Sequence, residues 1–132
     1  MVDRTVWVVD GDAGVRQSVA ALLGTLDVGV RSSASGEELL RDLPPAGPDC
    51  LIVELYLPGM NGIELLRCLL ERGVRCPVIL LASDADVPMA VRAMQVGAFD
   101  FIEKPFVDRV LLCRVRDALG LVPPALRPTA HR

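Results

Sequence analysis

The run Thr-Val-Trp-Val-Val at residues 5–9 is apolar almost throughout and leads directly into Asp10, Gly11 and Asp12. A short run of this kind, rich in β-branched residues, is typical of a strand that is covered on both faces. The next apolar residues recur at helical spacing and predict an amphipathic helix: Val15, Val19, Leu22, Leu23 and Leu26. Residues 5–26 therefore predict one strand followed by one helix.

The same strand–helix unit recurs along the rest of the chain. Further strands are predicted at residues 28–31, 50–53, 78–81 and 99–102, each followed by a segment with helical spacing. Capping signals precede three of the helices: Ser35 with Glu38, Asn61 with Glu64, and Asp86 two residues before a proline. Five such units with short connections predict an α/β fold, a doubly wound parallel sheet with helices on both faces.

Composition limits the function classes. The chain has 132 residues, of which 52% are hydrophobic and 23% charged, with a formal net charge of −3. This predicts one domain over residues 1–120 with a Pro-rich, flexible tail over 121–132, where the only histidine, His131, lies. The slightly acidic balance argues against direct nucleic-acid binding. With no apolar run long enough for a membrane span and no signal peptide, we expect a cytoplasmic protein.

The cysteines predict neither a metal site nor a disulfide framework. Cys50, Cys68, Cys76 and Cys113 are scattered and contain no Cys-x-x-Cys pair. We expect them to be buried apolar thiols in a reducing compartment.

Polar residues follow the strands at their carboxyl ends, which meet at one edge of a parallel sheet. The positions at these ends include acids from more than one strand and the only lysine; they are Asp10, Gly11, Asp12, Glu54, Ala82, Ser83, Glu103 and Lys104. No glycine-rich phosphate-binding loop of the GxxxxGK[ST] or GxGxxG type is present. A flavin-binding or enzymatic protein on this fold is therefore only a remote alternative.

Several motifs resemble those of response regulator receiver domains of two-component systems, especially receivers of nitrogen-fixation-type transcriptional regulators. The matching stretches are Val8-Val9-Asp10, Leu57-Pro58-Gly59-Met60-Asn61-Gly62, Asp86-Val87-Pro88-Met89-Ala90-Val91, and Gly97 to Phe106. The resemblance covers about residues 5–119. It implies a flavodoxin-like sheet with strand order 2-1-3-4-5.

The resemblance also implies a site chemistry. In receivers, an aspartate after the third strand takes a phosphoryl group from a phosphohistidine, and two acids after the first strand help to hold Mg²⁺. A Thr or Ser and a Lys contact the phosphoryl group, and an aromatic residue on the fifth strand acts as a switch. Here Asp10 matches the first acid, Lys104 the lysine and Phe101 the aromatic residue.

Three positions depart from that pattern. Gly11 stands in place of the second acid, Glu54 in place of the phosphoacceptor, and Ala82 in place of the hydroxyl residue; Ser83 is an alternative hydroxyl one position further on. Because Mg²⁺ needs several oxygens in near-octahedral geometry, we expect weak metal binding or none, through Asp10, Asp12 and Glu54 if at all, and no other cofactor. Glu54 either mimics a phosphoaspartate in part or pairs with Lys104 as a structural replacement.

The sequence therefore predicts a stand-alone, atypical receiver, or pseudo-receiver, that is not an enzyme and acts independently of phosphorylation through protein contacts. A conventional Mg²⁺-dependent phosphoaccepting regulator is the alternative. Expected partners are a histidine kinase, another regulator or an effector. A homodimer is also expected, through the surface of the fourth helix, fifth strand and fifth helix, with the interface residues Met89, Arg92, Asp100, Glu103, Arg109 and Leu112.

Overall fold

A computed structural model describes residues 4–84 and 87–121 and contains five strands and five α-helices in alternation. The strands are β1 Thr5–Val9, β2 Gly29–Ser33, β3 Cys50–Glu54, β4 Val78–Ser83 and β5 Asp100–Lys104. The helices are α1 Ala13–Leu23, α2 Gly36–Asp42, α3 Gly62–Glu71, α4 Val87–Val96 and α5 Asp108–Leu119, and a 3₁₀ turn, Gly24–Leu26, extends α1. All strand pairs are parallel, in the order β2-β1-β3-β4-β5, which confirms the predicted fold and strand order.

Helices cover both faces of the sheet and divide the core into two layers. On one face, α1 and α5 pack on the sheet through side chains that include Leu23 and Leu111. On the other, α2, α3 and α4 contribute Leu39, Leu66 and Ala93. Successive residues of each central strand alternate between the two layers, and both layers are apolar. This arrangement explains why β1, β3 and β4 read as continuous apolar runs.

Two strands differ in extent from the prediction. The edge strand β2 spans Gly29–Ser33, whereas the prediction placed it at residues 28–31. Its middle residues are exposed or half-buried, so the apolar pattern defines the ends of this strand poorly. β5 also lies further along the chain than predicted and ends at Lys104, so the lysine is the last residue of a strand. This placement holds the lysine backbone in register with Ser83 of β4.

The two predicted capping boxes have different outcomes. Asn61 and Glu64 form a complete box, with each side chain accepting a hydrogen bond from the other residue's backbone N–H. At α2, Ser35 accepts from the Glu38 N–H as predicted, but the Glu38 carboxylate accepts from Ala34 instead of Ser35. The predicted cap Asp86 lies outside the described residues.

The predicted tail begins beside the core. Leu121 packs against the α1–α5 layer, and its N–H donates to the Arg116 carbonyl at 2.7 Å after Gly120 has ended α5 in a left-handed conformation. Residues 122–132, and with them His131, lie outside the described residues. Among the helices that the structure describes, none is long and apolar enough to cross a membrane.

The four cysteines are free thiols. Only Cys50 is fully buried, and the other three are half-buried, so the prediction of buried thiols is right for one of them and too strong for the rest. Burial raises the pKa of the Cys50 thiol to about 12 and that of Cys76 to about 11. Both are therefore protonated and poorly nucleophilic at neutral pH.

Candidate functional site

The carboxyl edge of the sheet brings together two buried carboxylates and the only lysine. β1 and β3 are neighbours with Val9 opposite Val53, so Asp10 and Glu54 emerge side by side, and both are less than one-tenth exposed. Lys104 reaches them from the end of β5. Its Nζ lies 3.3 Å from Asp10 Oδ2 and also forms an ion pair with Glu54 Oε1.

Every carboxylate oxygen of this pair has a donor within the chain. The second oxygen of Asp10, Oδ1, accepts from the Asp12 N–H at 2.9 Å. The second oxygen of Glu54, Oε2, accepts from the Tyr56 N–H at 3.1 Å. Two buried negative charges are thus compensated by one ammonium and two backbone dipoles, which is what burial of charged groups requires.

The charge of Lys104 is stabilised by the two acids. Burial acts to lower the pKa of its ammonium group, but the hydrogen bond to Glu54 and the charges of Asp10 and Glu54 outweigh burial, and the net shift is upward. Lys104 is therefore fully charged at neutral pH, and the three side chains form an ion triad.

The β1–α1 turn offers little to a cation. Gly11 has no side-chain oxygen, and a Cβ built there would lie 3.2 Å from Pro58 Cδ, because the β3–α3 loop comes close to this turn. Asp12 turns towards the helix instead of the acid pair: its Oδ1 accepts from the Gly14 and Val15 N–H groups and caps α1. It is a helix cap, the role that acidic residues commonly have at such positions.

Arg16 is a site residue that the sequence did not reveal. One turn into α1, its Nη1 donates to the carbonyl oxygen of Asp10 at 2.6 Å. The contact ties the start of the helix to the end of β1 and places a second cation near the acid pair. Nothing in the local sequence distinguishes this arginine from the other twelve.

The hydroxyl position is filled by a methyl group. Ala82 is fully buried in the layer beneath α3 and α4, opposite Glu103 in register. Ser83 instead lines a cavity of about 320 Å³ that also borders Asp10, Glu54, Tyr56 and Lys104. Phe101 is half-buried and packs against the same layer as Ala82.

The loop between β3 and α3 is held by α2. The Glu37 carboxylate accepts from the Met60 N–H at 3.2 Å and lies against Gly59, whose φ of 74° is in the left-handed region. The backbone conformation favours glycine here, and a Cβ at this position would lie 2.6 Å from Glu37 Oε2, so the Glu37 carboxylate would have to move away from the loop. This contact fixes the loop that carries Tyr56 and Pro58 beside the acids.

The predicted interface residues differ in exposure. Arg92, Glu103 and Arg109 are exposed, and Leu112 is half-buried. Met89 is half-buried and packs against the α2–α4 core layer, on the same side of α4 as the buried Ala93 one turn further. Its place in an interface stays a prediction. Asp100 forms an ion pair with Arg114 of α5 at 3.7 Å.

The exposed face of α4 carries different residues. Val87, Val91 and Met94 are spaced at i, i+4 and i+7, and are 75%, 49% and 46% exposed. This spacing makes one apolar stripe on the outer side of the helix. The spacing is visible in the sequence, but α4 is apolar on most of its circumference, so the buried side could not be distinguished from the exposed one.

The residues at the carboxyl edge do not fit a magnesium ion. Mg²⁺ requires near-octahedral coordination by oxygens, and here Gly11 supplies no side-chain oxygen, Asp12 caps α1, and the Lys104 ammonium already contacts both remaining carboxylates. Within residues 4–84 and 87–121, no group of three or more His, Cys, Asp or Glu side chains is arranged to hold a metal ion.

A doubly wound sheet of this order, with two acids and a lysine at its carboxyl edge, is the architecture of a receiver domain. The chain belongs to that family: the model for the response regulator receiver domain matches residues 6–116. This confirms the resemblance seen in the sequence.

The similar proteins are transcriptional regulators and isolated receivers. The chain is 40% identical over 115 residues to the transcriptional regulatory protein FixJ of Azorhizobium caulinodans, covering 87% of this chain and 54% of that protein. It is 42% identical over 112 residues to FixJ of Rhizobium meliloti, covering 85% and 55%. The chain thus spans about half the length of the curated relatives that it matches.

Solved structures of receiver domains have the same fold. The crystal structure of FixJ-N has a TM-score of 0.82 and 39% identity, and the match covers 93% of this chain and 98% of that one. A response regulator receiver protein from Pseudoalteromonas atlantica has a TM-score of 0.82 and 38% identity, with 88% and 97% covered. The chain is therefore a receiver domain of the two-component response regulator family, similar to FixJ, and a signalling module by family.

Proposed function

We propose that this receiver has lost phosphoryl acceptance and has replaced it with a permanent internal ion triad. The observation that carries the proposal is the occupation of all four oxygens of Asp10 and Glu54 by donors of the chain itself. In this proposal Glu54 pairs with Lys104 as a structural replacement, and the conformation does not depend on a phosphate. The domain acts in the cytoplasm through protein contacts.

Three chemical deficits support the proposal. Glu54 is one methylene longer than aspartate, and in-line transfer is sensitive to displacements of about 1 Å. Gly11 cannot coordinate a cation. Ala82 cannot donate a hydrogen bond to a phosphoryl oxygen, since its side chain is a buried methyl group. Each deficit removes a different contribution to the same step, so their losses multiply.

The alternative is a conventional Mg²⁺-dependent phosphoacceptor with a tolerant site. This alternative is favoured by the proximity of three groups that phosphoryl transfer in receivers uses: Asp10, a carboxylate at position 54 and Lys104. The relatives are about twice as long as this chain, so action as a stand-alone unit stays a prediction.

Incubation with acetyl phosphate and Mg²⁺ tests the proposal. We expect no gain of a phosphoryl mass in intact-protein mass spectrometry, and no saturable change in Trp7 emission when beryllofluoride and Mg²⁺ are titrated. A conventional receiver of the same family, treated in parallel, provides the positive control. A phosphoryl adduct that disappears in Glu54→Gln would contradict the proposal and favour the alternative.

The proposal includes a contact surface on α4, β5 and α5, with a second copy of the chain as its occupant. The apolar stripe of Val87, Val91 and Met94 would form its centre, and cations such as Arg92 would face acids such as Glu103 across a twofold axis. Partners such as a histidine kinase or an effector would use receiver surfaces in addition.

Val91→Asp is expected to weaken the dimer by at least about tenfold, because a carboxylate would be buried in the apolar centre. The dimerisation constant is measured by light scattering coupled to gel filtration over a range of protein concentrations. The control is Arg67→Gln, an exposed arginine on α3 far from the stripe in sequence. A wild-type protein that is monomeric at every concentration would contradict this surface.

A further inference from the structure

The ion triad of Asp10, Glu54 and Lys104 is not electrically neutral. One ammonium group faces two carboxylates, both less than one-tenth exposed, which leaves one negative charge. A receiver that holds Mg²⁺ relieves such a surplus with the charge of the ion, but Gly11 supplies no side-chain ligand for one here. Since a buried charge without a counter-charge is costly, we looked for another group that offsets it.

The other acids at this edge of the sheet do not add to the buried surplus. The Asp12 carboxylate accepts from two backbone N–H groups of α1 and lies at the positive end of the helix dipole. Asp84, Glu103 and Asp108 are exposed, so water and salt screen their charges. The charge that needs a cation is therefore that of the acid pair.

Arg16 brings a second cation to the acid pair from α1. Its side chain crosses the β1–α1 turn, and Nη1 donates to the Asp10 carbonyl oxygen at 2.6 Å. Bond lengths keep that oxygen within about 5 Å of the Asp10 carboxylate, so Nη1 lies within about 8 Å of the carboxylate, less than the Debye length of about 10 Å at 0.1 M salt. Because Arg16 is also half-buried, its charge acts on the acid pair, at longer range than the Lys104 ammonium does.

The position of Arg16 is unfavourable for a cation unless negative charge lies nearby. It stands one turn from the amino end of α1, where the helix dipole disfavours a positive charge. Within the part of the chain that the structure describes, Arg16 forms no ion pair with an acid of its own. The acid pair is thus the negative charge that Arg16 can balance.

We propose that Arg16 is the resident counter-cation of the acid pair and takes the electrostatic place of a divalent ion. The inference rests on the proposed function and adds to it the group that makes the site stable without metal. Arg16 is a positioning residue: it contacts the backbone of Asp10 and acts on the two carboxylates through its charge. The guanidinium also opposes the entry of a metal ion, because two cations would compete for one surplus charge.

A double-mutant cycle between Arg16 and Glu54 measures this coupling. Arg16→Gln is expected to raise the unfolding equilibrium constant, measured by urea denaturation, about tenfold, the loss of a charge-assisted hydrogen bond. In the Glu54→Gln background, where no surplus charge remains, the same change is expected to raise it no more than about threefold, the share of the carbonyl contact alone. Arg16→Lys keeps the charge and is expected to stay within about threefold of the wild type. Arg67→Gln, exposed on α3, is the matched control and is expected to have the same small effect in both backgrounds.

The affinity for Mg²⁺ gives a readout that a merely structural contact would not change. Gly11→Asp returns an oxygen ligand to the β1–α1 turn, and MgCl₂ is titrated into this variant by calorimetry, with and without Arg16→Gln. Removal of the guanidinium is expected to tighten Mg²⁺ binding at least about tenfold, because a competing positive charge is lost.

Additive effects of Arg16→Gln and Glu54→Gln on unfolding would overturn the inference. So would an Mg²⁺ affinity, or an absence of binding, that is the same with and without Arg16. Neither result would alter the proposed function, which the mass of the wild type after incubation with acetyl phosphate decides. A phosphoryl adduct on wild-type Glu54 would instead overturn the proposed function, while the measured coupling between Arg16 and Glu54 could still hold.

Discussion

The triple variant Gly11→Asp, Glu54→Asp, Ala82→Thr is expected to take up a phosphoryl group from acetyl phosphate in a Mg²⁺-dependent reaction. The substitutions return a metal ligand, an acceptor carboxylate of the usual length and a hydroxyl donor to one site. Shortening Glu54 also weakens its contact with Lys104, which frees the lysine to bind the phosphoryl oxygens. The rate is measured by intact-protein mass spectrometry against time.

Glu54→Asp alone is expected to react at least about 100-fold more slowly than the triple variant. A single donor to the developing charge in a transition state commonly contributes a factor of 10²–10³, and the metal contributes several kcal/mol in addition. The double variant Glu54→Asp, Ala82→Thr isolates the metal ligand, and we expect its rate to be insensitive to Mg²⁺.

One structural contact bears on this experiment. The Cβ added at position 11 would approach Pro58 Cδ to 3.2 Å, which is tighter than ordinary packing. Pro58 is exposed on the β3–α3 loop, so its ring can move by the few tenths of an ångström that are needed. Equal rates for the single and triple variants would mean that the missing groups are not what silences the site. Lys104→Ala in the triple background is expected to abolish the reaction.

Much of the fold could be predicted because the central strands are buried on both faces. β1, β3 and β4 are apolar throughout, and such runs can be recognised without any knowledge of their neighbours. β2 is harder to predict, since an edge strand buries little and Arg31 and Ser32 within it are exposed. The proximity of Asp10, Glu54 and Lys104 was also predictable, because it follows from the order of the strands and does not depend on side-chain conformation.

Other contacts could not be predicted since they depend on long side chains crossing between elements. Glu37 reaches the Met60 N–H over 23 positions in sequence, and Arg16 turns back to a backbone carbonyl. Neither contact has a spacing rule. The orientation of α4 was missed for a different reason: with apolar residues on most of its circumference, only the position of the sheet decides that Met89 faces inward and Val91 outward.

Lys104→Ala is expected to lower the free energy of unfolding at neutral pH by roughly 2–3 kcal/mol, because it leaves two buried carboxylates without their cation. The value lies below that for a fully buried pair, since the lysine side chain is about one-fifth exposed and water can partly replace it. Urea denaturation measures the change. Arg114→Ala, which removes an exposed ion pair with Asp100, is the control and is expected to cost less than about 1 kcal/mol.

A double variant tests whether the uncompensated carboxylates cause the loss of stability in Lys104→Ala. Lys104→Ala combined with Glu54→Gln removes one of the two stranded charges and is expected to recover a large part of the stability, so the two substitutions are not additive. Additive effects, or an unchanged denaturation midpoint in Lys104→Ala, would contradict the ion triad.

The difference in the free energy of unfolding between wild type and Lys104→Ala is also expected to depend on pH, in a direction that the pKa shift of Lys104 fixes. Since contact with Glu54 and Asp10 raises the pKa of Lys104 in the folded state despite burial, the folded chain holds this proton more tightly than the unfolded chain. The stabilisation is therefore fully present below the ordinary lysine pKa, about 10.4. It is lost as the pH rises through the higher folded value. We expect the stability gap between wild type and Lys104→Ala to be constant around neutral pH and to narrow only in strongly alkaline solution. A gap that closed already between pH 7 and 9 would show that a different group holds the two carboxylates.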